Sequence, residues 1–279
     1  MCGIVGYIGD NQAAPILLDG LAKLEYRGYD SAGIAVFDGK EIKMEKVMGR
    51  LKVLEELTHG GATMEGTAGI GHTRWATHGC PSDTNAHPHF NKDHSIIVVH
   101  NGIIENYAKL KKVLEKKGYE FVSETDTEVL AHLLSEYYNG NPAETIQKVM
   151  QRVEGSYALG IMFLDHPNHI YAARKDSPLI VGASKEGNLI ASDVPAILRY
   201  TRNVYYMENE ELEAEALILM ERMNLTSATT LKLQIFYLPL RFQFGKLQHK
   251  RIKMSGLDWL SLKIKFALAG KLESISAIR

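Results

Sequence analysis

The chain has 279 residues, 45% hydrophobic and 23% charged, a globular mix with room for one large domain or two small ones. A formal net charge of −1 gives no global pull toward nucleic acid or an anionic membrane, and two cysteines in so long a chain exclude a disulfide framework and suit a reducing compartment. There is no apolar run of about 18 residues, and the start MCGIVGYIGD lacks the basic stretch and apolar core of a secretion signal, so the reading is a soluble cytoplasmic protein.

In chain order, an apolar, β-branched run predicts a strand over 2–8, and Ile16, Leu17, Gly20, Leu21 and Leu24 share one face of a helix over 13–26. Strands follow at 32–37, 67–75 and 95–100, then helices at 104–117, 127–138 and 143–152. The second of these helices is preceded by Ser123-Glu124-Thr125-Asp126, which reads as a capping box. Strands at 157–164, 169–174, 179–181 and 189–192, a short helix at 195–200 and a strand at 204–207 complete the set. Two runs of strands with helices grouped between them predict an α+β layered fold rather than alternating βαβ units.

The composition shifts near residue 212. From 213 to 279 there are 11 Lys/Arg against 5 Asp/Glu, and Pro239, Gly245, Gly256 and Gly270 are the only turn-forming glycines and prolines. A helix is expected over 213–225, and beyond it no period holds. The expectation is a basic, Leu-rich tail over 213–279, disordered or frame-disrupted, behind a domain over 1–212.

The chemistry starts at Met1-Cys2-Gly3. Removal of the initiator Met leaves Cys2 with a free α-amine, whose reference pKa of about 7.7–8.0 suits it to take the thiol's proton. One residue then supplies nucleophile and base, although a small buried Cys in a first strand is the commoner use. In Gly71-His72-Thr73-Arg74-Trp75-Ala76-Thr77-His78-Gly79 a strand runs into a polar loop. Arg74 can fork onto a carboxylate there, with Thr77 and His78 beside it, or simply form a salt bridge. Asn101-Gly102 follows a strand; an Asn amide and the next backbone N–H can share an oxyanion, and equally the pair can make a tight turn. Asp126 at a helix start can bind an ammonium or cap the helix. The histidines between His72 and His100 match no metal-ligand spacing. The basic segment 241–253 is better read as solvated than as a nucleic-acid surface.

Together the segments MCGIVGYIG, Leu24-Glu25-Tyr26-Arg27-Gly28-Tyr29-Asp30-Ser31-Ala32-Gly33, GHTRWATHG, Asn85-Ala86-His87-Pro88, HNGIIEN and SETDTEV resemble, in this order, the glutaminase domain of the glucosamine-6-phosphate synthase family. The wording is closer to that family than to amidophosphoribosyltransferase or asparagine synthetase. The resemblance covers about residues 1–211. It implies an N-terminal-nucleophile hydrolase fold, a four-layer αββα sandwich, and glutamine amide hydrolysis without cofactor or metal. By the same resemblance Cys2 is the nucleophile, Asn101 and Gly102 hold the oxyanion, Arg74 takes the glutamine carboxylate and Asp126 its amine. Trp75, Thr77 and His78 belong to a loop closing over glutamine, and Arg27 and His87 support the site. The family continues as a sugar-phosphate isomerase that receives the ammonia. That part is not found here, so fructose 6-phosphate is expected as a partner only where an isomerase domain is supplied, and a homodimer is left open. Two rivals are an interaction-only fragment and a self-processing peptidase; Cys80, beside the loop, is an expected side target for thiol reagents.

Overall fold

In the computed structural model of the chain, residues 2–207 are described throughout, and beyond them the backbone of two strands, 216–221 and 233–237. The elements are β1 (Gly3–Gly9), α1 (Ala13–Ala22), β2 (Ser31–Phe37), β3 (Ile42–Met48), α2 (Leu51–Leu57), β4 (Ala68–Arg74), β5 (His89–Phe90) and β6 (Ile96–Ile104). Then come α3 (Tyr107–Lys116), α4 (Glu128–Tyr137), α5 (Pro142–Met150), β7 (Gly155–Phe163), β8 (His169–Lys175), β9 (Ile180–Ala183) and β10 (Gly187–Ala191). A 3-10 turn at Val194–Ala196 precedes β11 (Asn203–Tyr206), β12 (Ala216–Glu221) and β13 (Leu233–Tyr237).

The strands form two antiparallel sheets, one ordered β11-β9-β10-β1-β4-β2-β3 and the other β13-β12-β8-β7-β6-β5. Side-chain alternation decides how they stack. Ile4 and Ile8 of β1 and Ile70 of β4 meet Ile97 and Val99 of β6, Met162 of β7 and Ile170 of β8 in an apolar layer between the sheets. The odd-numbered neighbours Val5 and Tyr7 turn the other way, onto Leu17 and Leu21 of α1 and Leu54 of α2. In the second sheet Val98, Leu159, Ile161 and Phe163 face α4 and α5 through Val129, Leu130, Leu134 and Val149. Helices, sheet, sheet, helices: the architecture is the four-layer αββα sandwich. Cutting Ile70 to Ala, at the centre of the inter-sheet layer, costs about 2–5 kcal/mol.

Several local expectations are corrected. Ile42–Met48 is an edge strand that the sequence hides, because the adjacent charges Glu45 and Lys46 break the apolar alternation. The Asn101-Gly102 pair is no hairpin turn: β6 runs through it to Ile104, with Gly102 opposite Tyr157. The helix expected over 195–200 is a single 3-10 turn. The cap expected at Ser123–Asp126 is replaced by Thr127, which makes no side-chain cap bond, while Glu128 reaches back to the backbone N–H groups of Val122 and Ser123 at 2.8 and 2.7 Å. The helix expected over 213–225 is instead a strand at Ala216–Glu221, paired along β8 from Arg174 to His169. Periodicity cannot separate a short apolar run into helix or strand, and the edge of β8 supplies the hydrogen bonds that decide it. Apart from β12 and β13, the expectation of a disordered or frame-disrupted tail lies outside the described residues.

Candidate active site

One cavity of about 290 Å³ opens where β1, β4 and β6 end together, and its lining contains Cys2, Arg27, Arg74, Trp75, Thr77, His78, His87, Asn101, Gly102 and Asp126. Every residue singled out in the sequence as catalytic, substrate-binding or supporting is therefore at this cavity. Strand pairing explains the convergence. Gly3 of β1 lies opposite Thr73 of β4, which brings Cys2 to the Arg74-Trp75 corner. Asn101 shares the inner face of β6 with Ile97 and Val99, so its amide meets Cys2 across the gap between the sheets.

The Cys2 thiol receives the Trp75 backbone N–H at 3.2 Å and donates to the Trp75 carbonyl at 3.6 Å. Burial pushes the thiol above its usual value, and the Trp75 N–H pulls partly the other way. A neutral thiol in this setting needs a base to become a nucleophile. Asn101 Nδ2 donates to the Cys2 carbonyl at 3.1 Å. Its Oδ1 lies 3.0 Å from His72 Nε2, which also sits 3.0 Å from the His100 carbonyl. Gly102 has φ +131°, and a Cβ there would stand 2.0 Å from the Ser156 carbonyl. Only glycine fits that backbone.

Arg74 is buried, and its Nη2 is committed to the loop after β4. It donates to the carbonyls of His78 and, at 2.9 Å, Gly79. Nη1 is buried without a hydrogen-bond partner among the described residues. An unpartnered guanidinium N–H in a polar cavity is an open donor for an anion. The expected fork is thus divided, half holding the loop and half free. Asp126 divides likewise. Its Oδ2 accepts the Ile104 backbone N–H at 2.8 Å, which replaces the helix-cap reading, and its Oδ1 stands 4.0 Å from His78 Nδ1. The cavity is therefore lined by both a guanidinium and a carboxylate, each beside His78.

The loop carries its own fastenings. The Asp30 carboxylate accepts the Ala76 N–H, and Trp75, 47% exposed, stands edge-on to Tyr29 with ring centroids 5.3 Å apart. A Cβ on Gly28 would come 2.7 Å from the Arg74 backbone carbon, so that strand end is approached at glycine-only distance. Arg27 pairs with Asp193, and Tyr26 donates to the same carboxylate at 2.8 Å, which fixes Arg27 at the rim. His87 stacks on His72 with centroids 4.1 Å apart and accepts the His100 N–H at 3.4 Å. Burial holds His87 and His89 well below the usual imidazole value and His72 at about 3, so the cluster is neutral. Cys80 is exposed.

Sequence reasoning missed His72 and His100 as parts of the site, along with Ser156, Ser177 and Pro178 in the lining. His72 was open to discovery, since period two from Arg74 puts it on the same face. His100 adjoins Asn101 in the chain, while Ser156, Ser177 and Pro178 come from segments far along it that no local pattern connects to Cys2.

A half-buried cysteine behind the initiator Met and beside an amide donor, with an open cation and an anion lining the same cavity, on a four-layer αββα sandwich, defines the arrangement of the N-terminal-nucleophile amidotransferases. The comparisons agree with that class: the family description "glutamine amidotransferase domain" matches residues 72–199. Over 212 residues it is 63% identical to the glutamine–fructose-6-phosphate aminotransferase [isomerizing] of Caldanaerobacter subterraneus, covering 76% of this chain and 35% of that protein. The namesake of Clostridium acetobutylicum is 58% identical over 211 residues, covering 76% of this chain and 34% of that one. The chain thus spans about a third of the length of the curated relatives it matches. Among solved structures, the glutamine phosphoribosylpyrophosphate amidotransferase of B. subtilis superposes with a TM-score of 0.66 at 28% identity, covering 78% of this chain and 47% of that one. No helix of the described residues is long and apolar enough to cross a membrane.

Proposed function

We propose that this chain hydrolyses the side-chain amide of glutamine with Cys2 as nucleophile, once Met1 is removed. The observation that carries the reading is a match of charge and geometry: the thiol, the open Arg74 Nη1 and the Asp126 carboxylate face one cavity of about 290 Å³. A glutamine α-carboxylate placed on Arg74 and its α-ammonium on Asp126 leaves the amide to reach Cys2. The freed α-amine takes the thiol proton, and Sγ bonds to the amide carbon while the carbonyl oxygen becomes an oxyanion. The Asn101 Nδ2 and the Gly102 N–H receive that charge. Collapse expels ammonia, which leaves with the proton held by the α-amine, and a γ-glutamyl thioester remains. Water attacks the thioester, the same amine takes the water's proton and returns it to sulfur, and glutamate leaves.

Trp75, Thr77 and His78 form the side that closes over glutamine, and Arg27 and His87 hold the walls. In this reading residues 1–212 are the glutaminase domain and the ammonia is destined for fructose 6-phosphate on an isomerase domain, in a cytoplasmic enzyme. Residues 1–212 by themselves yield glutamate and ammonia.

The test is glutamate release from glutamine by the purified chain, with Met1 removal checked by intact mass. Cys2→Ala, which keeps the terminal amine and deletes the sulfur, is expected to abolish release. Release that survives in Cys2→Ala overturns the assignment of the nucleophile.

A further inference from the structure

His72 crosses between the sheets. It stands on β4 of the first sheet, two residues from Ile70 on the inner face, and its Nε2 meets Asn101 Oδ1 of β6 in the second. The two atoms within 3.0 Å of Nε2 are carbonyl oxygens, the Asn101 Oδ1 and the His100 backbone oxygen. Neither carries a proton, so the ring nitrogen donates to both, and His72 holds its proton on Nε2. Burial disfavours the charged ring. Its Nδ1 is then bare, buried and without a hydrogen-bond partner among the described residues, in a ring stacked on His87.

This tautomer decides which way the Asn101 amide points. With Oδ1 on the His72 N–H, Nδ2 faces the Cys2 carbonyl at 3.1 Å. Turning the amide over would set Nδ2 against the ring N–H and Oδ1 against the Cys2 carbonyl. Two hydrogen bonds would become a donor–donor and an acceptor–acceptor clash. We propose that His72 is a positioning residue for the oxyanion donor: its Nε2–H locks the Asn101 amide with Nδ2 toward Cys2. The inference rests on the reading that Asn101 stabilises the oxyanion. His72 touches no reacting atom and acts only through Asn101. Because the lock is a neutral ring, it does not switch over the range where histidines usually titrate.

Two measurements test it. The first is nitrogen NMR of the resting, unmodified protein labelled at histidine. His72 is expected as the neutral Nε2–H tautomer, unchanged between about pH 6 and 8. The proton on Nδ1, or a charged ring in that range, overturns the lock. The second compares His72→Leu, which removes the donor, with His72→Gln, which returns a side-chain N–H. His72→Leu is expected to lower kcat roughly 10- to 100-fold, below the ~10²–10³ of losing an oxyanion donor outright. KM for glutamine stays within about twofold, since a lock on the amide serves the transition state, and His72→Gln recovers most of the rate. Equal losses in both variants, or a loss confined to KM, overturn the proposal. If neither variant folds, the tautomer decides. A parent chain that releases no glutamate defeats the glutaminase reading alone, and the NMR of the resting protein still decides the lock.

Discussion

Asn85 and Glu124 clasp each other from two loops. Asn85 Oδ1 accepts the Glu124 backbone N–H at 2.9 Å, while its Nδ2 donates to Glu124 Oε2 at 3.2 Å and to the Cys80 carbonyl at 2.9 Å. Cys80 ends the loop that Arg74 fastens, and Glu124 lies two residues from Asp126. This one side chain therefore ties the loop after Arg74 to the segment that carries Asp126. Asn85→Ala is expected to raise KM for glutamine roughly 5- to 20-fold with a smaller effect on kcat, because the two segments proposed to orient substrate lose their tie. Stability falls by about 1–3 kcal/mol, the scale of buried groups left unpaired. Steady-state kinetics with a melting curve check both, and an unchanged KM removes Asn85 from the site's geometry.

Arg74 does two jobs with one planar group. Nη2 holds the His78 and Gly79 carbonyls, and Nη1, without a hydrogen-bond partner among the described residues, is the donor proposed for the substrate carboxylate. Lysine keeps the charge but offers a compact ammonium in place of a fork, so it cannot hold the loop and reach a carboxylate at once. Arg74→Lys is expected to raise KM at least about 10-fold, the scale set by losing one charge-assisted bond. Kinetics on an amide substrate lacking the α-carboxylate separate the jobs: the variant's deficit should shrink there if Nη1 binds that group.

Glu128 predicts an acid limit. It is buried, which alone would raise its pKa, but the His132 imidazole, the Ser123 hydroxyl and the N–H groups of Val122 and Ser123 together hold it down at about 2. A carboxylate depressed in the fold stabilises above its unfolded value and loses that contribution as pH falls through the folded one. The window is thus from about 4.5 down to about 2. Glu128→Gln should lower stability by about 1–3 kcal/mol near neutrality, and its melting temperature should converge with that of the parent toward pH 2. Parallel curves across the window refute the assignment.

The legible and illegible parts of this protein divide by how local their causes are. Cys2, Arg74 and Asp126 could be read because each sits where an apolar strand or a helix meets a loop, and Asn101 from the short motif around it, although β6 runs on through it. Their division of labour could not. That Asp126 gives one oxygen to the Ile104 N–H, and that Arg74 gives one nitrogen to its own loop, depends on side-chain packing that no spacing records. Asn101-Gly102 looked like a turn because that dipeptide usually is one; the pairing with Tyr157 and Ala158 carries the strand through it. Ser156 and Ser177 reach the cavity through β7 and the turn after β8, contacts set by topology alone. The strand at Ile42–Met48 stayed hidden because the adjacent charges Glu45 and Lys46 break its apolar alternation.

Gly102 gives the sharpest test of whether β6 positions a donor. Its φ of +131° is left-handed backbone, and an added Cβ would meet the Ser156 carbonyl at 2.0 Å and its carbon at 2.7 Å. Both are backbone atoms that cannot rotate aside, so Gly102→Ala must move β6 against β7. Moving β6 displaces Asn101 and the Gly102 N–H together. The expected result is a fall in kcat of about 100-fold or more, the cost of a lost oxyanion donor, with about 1–3 kcal/mol of strain in the fold. Gly118→Ala is the control. Gly118 also has positive φ, +89°, but nothing lies within 4 Å of the added Cβ. It should lose stability and keep kcat. If both variants lose stability and neither loses kcat, β6 positions no group that the reaction needs.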